Sequence, residues 1–204
     1  MTAFEGNERR EGRRETTALY PLILAVTLAV TACTTPPSAT PSAPILASFP
    51  PSLPERVELT QVPFYAQEDD QCGPASLAML LSHAGIPRTP EQMRDEVYLP
   101  QRRGSLTVEM VGALRRSGLT PRVVATDLNS LLKQVADGQP VAVLMNVRWR
   151  VWPQWHYTVV VGYDLPQQHI LLRSGLEKRQ LMALQEFDTR WADGQRWGVA
   201  VLPR

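Results

Sequence analysis

Two side chains in this 204-residue chain have the chemistry of a nucleophile and its base. One is Cys72, in QEDDQCGPASLAMLLSHAG (67–85); the other is His156, in HYTVVVGYD (156–164). A thiol attacks as its thiolate, so its surroundings must favour the anion. Cys72 stands where a helix beginning at Gly73 or Pro74 exposes unbonded N–H groups, and the partial positive charge there helps the anion. Gly73 leaves the backbone uncrowded, so a substrate carbonyl can come close. The Cys72 amide can donate to an oxyanion, with the Gln67 side chain, five residues upstream, as a second donor. Against this, Glu68, Asp69 and Asp70 precede the thiol and work against its ionisation. A cysteine in this place can also be only a small residue packed at a helix start.

The histidine inventory is short. His83 lies at the far end of the same helix, about 16 Å along it, out of reach of Cys72. His169 falls in a turn between strands and reads most simply as a surface residue. His156 opens the most apolar run of the chain, and a polar residue at the mouth of a buried strand suits a general base. There is no HExxH and no paired CxxC, so neither a metal nor another cofactor is expected. RWRVWPQWH places Trp149, Trp152 and Trp155 beside the histidine, with Arg148 and Arg150. These aromatic residues can rim a peptide groove, with Trp155 nearest the base, pack as a hairpin on the core, or face a membrane surface. Trp191 and Trp197 read as core. Asp164 reads as a turn-former.

The elements that must hold these residues follow from periodicity. Residues 54–67 look extended. Residues 72–85 carry apolar positions all along a buried helix, with Pro74 in its first turn. A second helix spans 89–100 behind the cap Thr89, a third 106–118, and a fourth 127–138 with Asp127 as cap and Gly138 as stop. Residues 121–126 make a short strand. The pattern then changes to strand-like runs at 140–149, 155–164, 169–175 and 179–184, a helical turn at 187–194 and a last strand at 196–203. Helices first and an antiparallel sheet after them is an α+β layout.

The ends and composition bound the rest. Lys and Arg number 21 against 20 Asp and Glu, a net charge of +1 that offers nucleic acid no basic surface. The apolar run 19–32 is short for a membrane span and suits the h-region of a signal peptide, although Arg9, Arg10, Arg13 and Arg14 before it are balanced by glutamates. It ends in VTAC, Val30 to Cys33, which resembles the lipobox of bacterial lipoproteins; the resemblance implies cleavage before Cys33 and acylation of its sulfur. The plain alternative is an anchor helix with an incidental cysteine. Residues 34–54 hold seven prolines in 21 positions and read as an extended tether, reaching up to about 65 Å. The expected organisation is a signal peptide over 1–33, a tether over 34–54 and one folded domain over 55–204. With only two cysteines, acylation of Cys33 leaves Cys72 a lone thiol, either buried and inert or reactive.

The order Q-x4-C-G-P-A-S-L-A-M-L and then H-Y-T-V-V-V-G-Y-D resembles the bacteriocin-processing, double-glycine-leader peptidases, which are papain-like cysteine peptidases. The resemblance covers about residues 60–204. It implies a papain-like fold with N-terminal helices packed on a C-terminal antiparallel sheet, Cys72 as nucleophile, His156 as base, Gln67 at the oxyanion and a small residue such as Gly before the scissile bond. The family's third member is an Asp on the strand after the histidine strand; here that strand reads ILLRSG, and Ser174 or a neighbour stands in its place, leaving a Cys-His dyad whose ring is oriented by Ser174 or a backbone carbonyl. The expected activity is a thiol protease acting on a peptide or protein. The expected location is the bacterial cell envelope, lipid-anchored at the outer membrane and facing the periplasm. Two other readings stay open: a thioester-forming acyl transferase, and a peptide-binding scaffold lipoprotein with weak or no catalysis.

Overall fold

The computed structural model describes residues 49–50, 52–67, 70–124, 126–148 and 150–202. The signal-peptide reading, Cys33 and residues 34–48 and 51 of the tether lie outside the described residues. In chain order the elements are β1 (Arg56–Glu58), α1 (Cys72–His83), α2 (Pro90–Val97), α3 (Thr107–Arg116), β2 (Pro121–Val123), α4 (Leu128–Ala136), β3 (Val141–Asn146), β4 (Trp155–Asp164), β5 (His169–Ser174), β6 (Glu177–Ala183), α5 (Leu184–Asp193) and β7 (Gly198–Val201). The architecture is α+β, as the change of pattern from period 3.6 to period 2 implied.

Local chemistry explains the boundaries. Thr89 caps α2 through a reciprocal pair: its hydroxyl accepts the Gln92 N–H, and the Gln92 side chain accepts the Thr89 N–H. Asp127 accepts the Ser130 N–H at 2.8 Å and starts α4. The last helix begins three residues earlier than the sequence pattern placed it, at Leu184, because Leu184, Phe187 and Trp191 form one buried stripe. Helix α1 is buried from Gly73 to Leu81, so it is the central helix and is apolar nearly all round.

Every strand pairing is antiparallel, in the order β2-β7-β3-β4-β5-β6, with β1 paired to the last three residues of β4. Side chains alternate between two cores. Ala142, Tyr157, Val159, Val161, Leu171 and Val199 meet α1, α2 and α3 on one face. Val141, Val143, Val160, Ile170, Leu172 and Ala200 meet α4 and α5 on the other. A bulge falls between Val160 and Gly162. At Gly162 a Cβ atom would lie 2.3 Å from the Val57 carbonyl oxygen, so only glycine lets β1 close on β4. That closure sets where the chain leaves β1 to reach Gln67 and Cys72.

Candidate active site

Helix α1 begins at Cys72 itself, one or two residues earlier than the motif suggested, with Gln71 as an N-cap that makes no side-chain cap bond. Pro74 has no N–H, so the unbonded donors of the first turn are the amides of Cys72 and Gly73. Both act on the Cys72 sulfur, and so does the backbone N–H of Tyr157 on β4. Tyr157 follows His156, so the helix start and the mouth of β4 meet at the residue next to the histidine. Nevertheless, burial pushes the Cys72 thiol above its usual value and outweighs these donors, while Asp70 pushes the same way. The helix end therefore does not make a resting thiolate, which corrects the expectation built on the dipole alone.

His156 is half-buried, and burial holds its ring down to about 4. Its Nε2 lies 3.0 Å from Ser174 Oγ at the end of β5. When that nitrogen donates to the hydroxyl, Nδ1 is the lone-pair nitrogen, the tautomer a general base needs. Gln67 is only 6 % exposed. Its backbone N–H donates to the Gly175 carbonyl at 2.9 Å, and its Oε1 accepts the Gly175 N–H at 3.2 Å. Its Nε2 has no partner among the described residues, a buried donor left for something else. The structure thus brings Gln67 and His156 to one short stretch, Ser174–Gly175, and brings Cys72 to the residue after His156.

Other residues fall elsewhere. His83 Nε2 meets the Gly138 carbonyl at 3.1 Å, a structural contact. His169 pairs with Asp164, at the opposite end of β4 from His156. Gly73 is buried, and a Cβ on it would lie 2.5 Å from Ser105 Oγ and 2.7 Å from Ser105 Cβ. The side where a Cβ would stand is filled by Ser105 of the same chain, so internal packing is a reason for glycine here. Asp70, at φ 63, has its carboxylate 2.9 Å from Arg103 Nε. Glu68, Asp69 and Trp149 lie outside the described residues.

Trp155 is 50 % exposed and Trp152 77 %, so neither packs as core. The chain between β3 and β4, which carries Trp152 and leads to Trp155, is tied at several points: Asn146 Oδ1 accepts the N–H groups of Arg148 and Gln154, Asn146 Nδ2 donates to Asp193, and Arg150 pairs with Asp193 at 3.3 Å. Trp191 is fully buried, and Trp197 meets Tyr157 edge-on at 5.7 Å. Among the described residues no group of three His, Cys, Asp or Glu could hold a metal ion. The sequence reading missed Tyr157, Gly175 and Arg173, the last a 3 % exposed cation. The visible signal for it was a charge inside the apolar run ILLRS.

The Peptidase_C39 like family matches residues 59–196, more than half of the chain. Among solved structures, the chain is similar to one described as a C39-like peptidase from Bacillus anthracis, at 19 % identity and TM-score 0.60, over 74 % of this chain and 99 % of that one. It is similar to a double glycine motif protease from an AMS/PCAT transporter, solved with its leader peptide: 22 % identity, TM-score 0.54, 70 % of this chain and 92 % of that one. It is also similar to the peptidase domain of Streptococcus ComA, a bi-functional ABC transporter, at 19 % identity and TM-score 0.53, over 70 % of this chain and 99 % of that one. No curated protein sequence matches. These likenesses fix the papain-like fold, and the family match goes further: the chain belongs to the Peptidase_C39 like family and is a cysteine-type peptidase.

Proposed function

We propose that this peptidase works through Cys72 and His156, on a peptide or protein substrate outside the cytoplasmic membrane. The observation that carries this reading is the meeting of the Cys72 sulfur with the Tyr157 amide, beside a histidine whose ring is held by Ser174 at 3.0 Å. His156 Nδ1 takes the thiol proton as sulfur bonds to the scissile carbonyl carbon. The Cys72 amide and Gln67 Nε2 hold the oxyanion. On collapse the C–N bond breaks and the leaving amine takes the proton from His156. Water then attacks the thioester, giving its proton to His156, and the released thiol regains it. By likeness to double-glycine proteases, a small residue such as Gly precedes the scissile bond. Trp155, held out beside the base, serves as a wall for the substrate. Cys33 carries the lipid, and the tether lets the domain work from the outer membrane into the periplasm.

The test is cleavage of a peptide library by wild type, Cys72→Ser and His156→Ala. Wild type cuts, Cys72→Ser does not, and His156→Ala falls by about 100-fold or more. Equal cleavage by wild type and Cys72→Ser removes the proposal. A hydroxyl where a carboxylate is expected favours one rival, a binder with little turnover; that rival predicts peptide binding by all three proteins and cleavage by none.

A further inference from the structure

Resting on that reading, we infer that Arg173 is a positioning residue for the reaction: it keeps the segment bearing Gln67 in register with the hairpin end bearing Ser174. Arg173 lies on β5, after Ile170, Leu171 and Leu172, all buried. A fourth apolar residue would pack there without bringing a cation into the interior. The guanidinium serves carbonyls instead. Its Nη2 donates to the Val62 carbonyl at 3.0 Å, and its Nη1 donates to the Lys178 carbonyl on β6. Among the described residues no carboxylate forms an ion pair with it. Glu58, whose charge it feels, is held by Arg179 through three short contacts.

The chain from Leu59 to Gln67 is not a strand, so it lacks a ladder to fix it. It is pinned at separate points. Leu59 N–H donates to Val161, Val62 accepts from Arg173, the Tyr65 hydroxyl meets Ser82 on α1, and Gln67 exchanges two bonds with Gly175. Three consecutive residues of the hairpin end thus hold three parts of the site. Arg173 takes the approach to Gln67, Ser174 takes His156, and Gly175 takes Gln67 itself. The Arg173 carbonyl also accepts the Thr158 hydroxyl at 2.8 Å, two residues past His156. With Arg173 removed, the approach to Gln67 loses its tie to the hairpin at Val62, and the two bonds to Gly175 are left to space the oxyanion donor from the base alone. The thiol and imidazole keep their own supports.

The experiment is a double-mutant cycle on the full chain with Arg173→Met, Arg173→Lys and Gln67→Ala. It reads peptide-cleavage kcat and KM beside the rate of Cys72 alkylation by iodoacetamide. Arg173→Met lowers kcat by roughly 10- to 100-fold, with KM and alkylation held within about threefold. Combined with Gln67→Ala it is no slower than Gln67→Ala alone, within about threefold, because both act on one oxyanion donor. Arg173→Lys, which keeps a donor, recovers part of the loss. Full kcat in Arg173→Met, or losses that multiply in the double mutant, overturns the inference while leaving the peptidase reading intact. Failure of Cys72→Ser to abolish cleavage sinks that reading instead. Should Arg173→Met not fold, the cycle of Arg173→Lys with Gln67→Ala decides by the same non-additivity.

Discussion

At the scale of single residues the site is governed by burial. A resting thiolate–imidazolium pair needs the thiol pushed down and the imidazole pushed up. Burial does the reverse to both: it raises Cys72 and holds His156 at about 4. Ser174 offers the ring a dipole, which orients it but stabilises an imidazolium less than a carboxylate does. Cys72 and His156 therefore rest uncharged near neutral pH, and the proton moves only as the sulfur attacks. Alkylation by iodoacetamide needs the thiolate, whose fraction below its pKa grows about tenfold for each pH unit. The rate of Cys72 alkylation is expected to climb steadily from about pH 6 to 8, with no plateau. Ser174→Asp supplies the missing charge, lifts His156, lowers Cys72 and raises the rate at the acid end of that range. Mass spectrometry of the labelled protein follows both. A wild-type rate already flat from about pH 5 would mean a preformed ion pair and contradict the burial argument.

At the scale of elements, helices and strands were readable wherever period and cap agreed. The Thr89–Gln92 pair, the Asp127 cap and the run of three valines in β4 each showed their element in a few residues. So did the pairing of a Cys-Gly-Pro helix start with a histidine strand. Contacts that close in space without a local pattern were not readable. The clamp of Gly175 on Gln67 spans 108 residues, and the meeting of the Cys72 sulfur with Tyr157 joins α1 to β4. Gly73 shows the difference most sharply. Its place beside the nucleophile suggested room for substrate, yet the segment before α3 brings Ser105 against its bare face. Gly73→Ala is accordingly expected to cost about 1–3 kcal/mol in denaturant unfolding, through overpacking. Ser105→Gly removes both the Oγ and the Cβ that the new methyl meets, so the double variant regains most of that loss. A Gly73→Ala protein as stable as wild type would show that Ser105 gives way freely. A poorly cutting variant with unchanged stability would return the residue to substrate approach.

At the scale of the whole molecule, the described domain packs two cores around the residues proposed for its chemistry. One sheet is covered by α1–α3 on one face and by α4 and α5 on the other, and every residue proposed for the reaction lies between Gln67 and Gly175. All of them fall within the stretch that the family match covers, which begins at Leu59. For the preceding chain we propose a different use. Its apolar run of 14 residues is shorter than the roughly 20 a helix needs to span a bilayer. Yet it stops at Cys33, ahead of a proline-rich segment whose Phe49 and Leu53 pack, partly buried, on the core. Lipid on Cys33 would attach the domain without a spanning helix, and a single sulfur would then decide where the enzyme resides. The full chain, expressed in a bacterium with lipoprotein processing, is expected to enter the detergent-rich phase of a Triton X-114 separation and to take up a palmitate label. Cys33→Ser is expected to lose the label while its folded domain still cleaves peptide. A Cys33→Ser protein that stays in the detergent phase would mean that residues 19–32 remain attached and anchor the chain themselves. Loss of cleavage along with the label would mean that the domain needs the membrane surface to work.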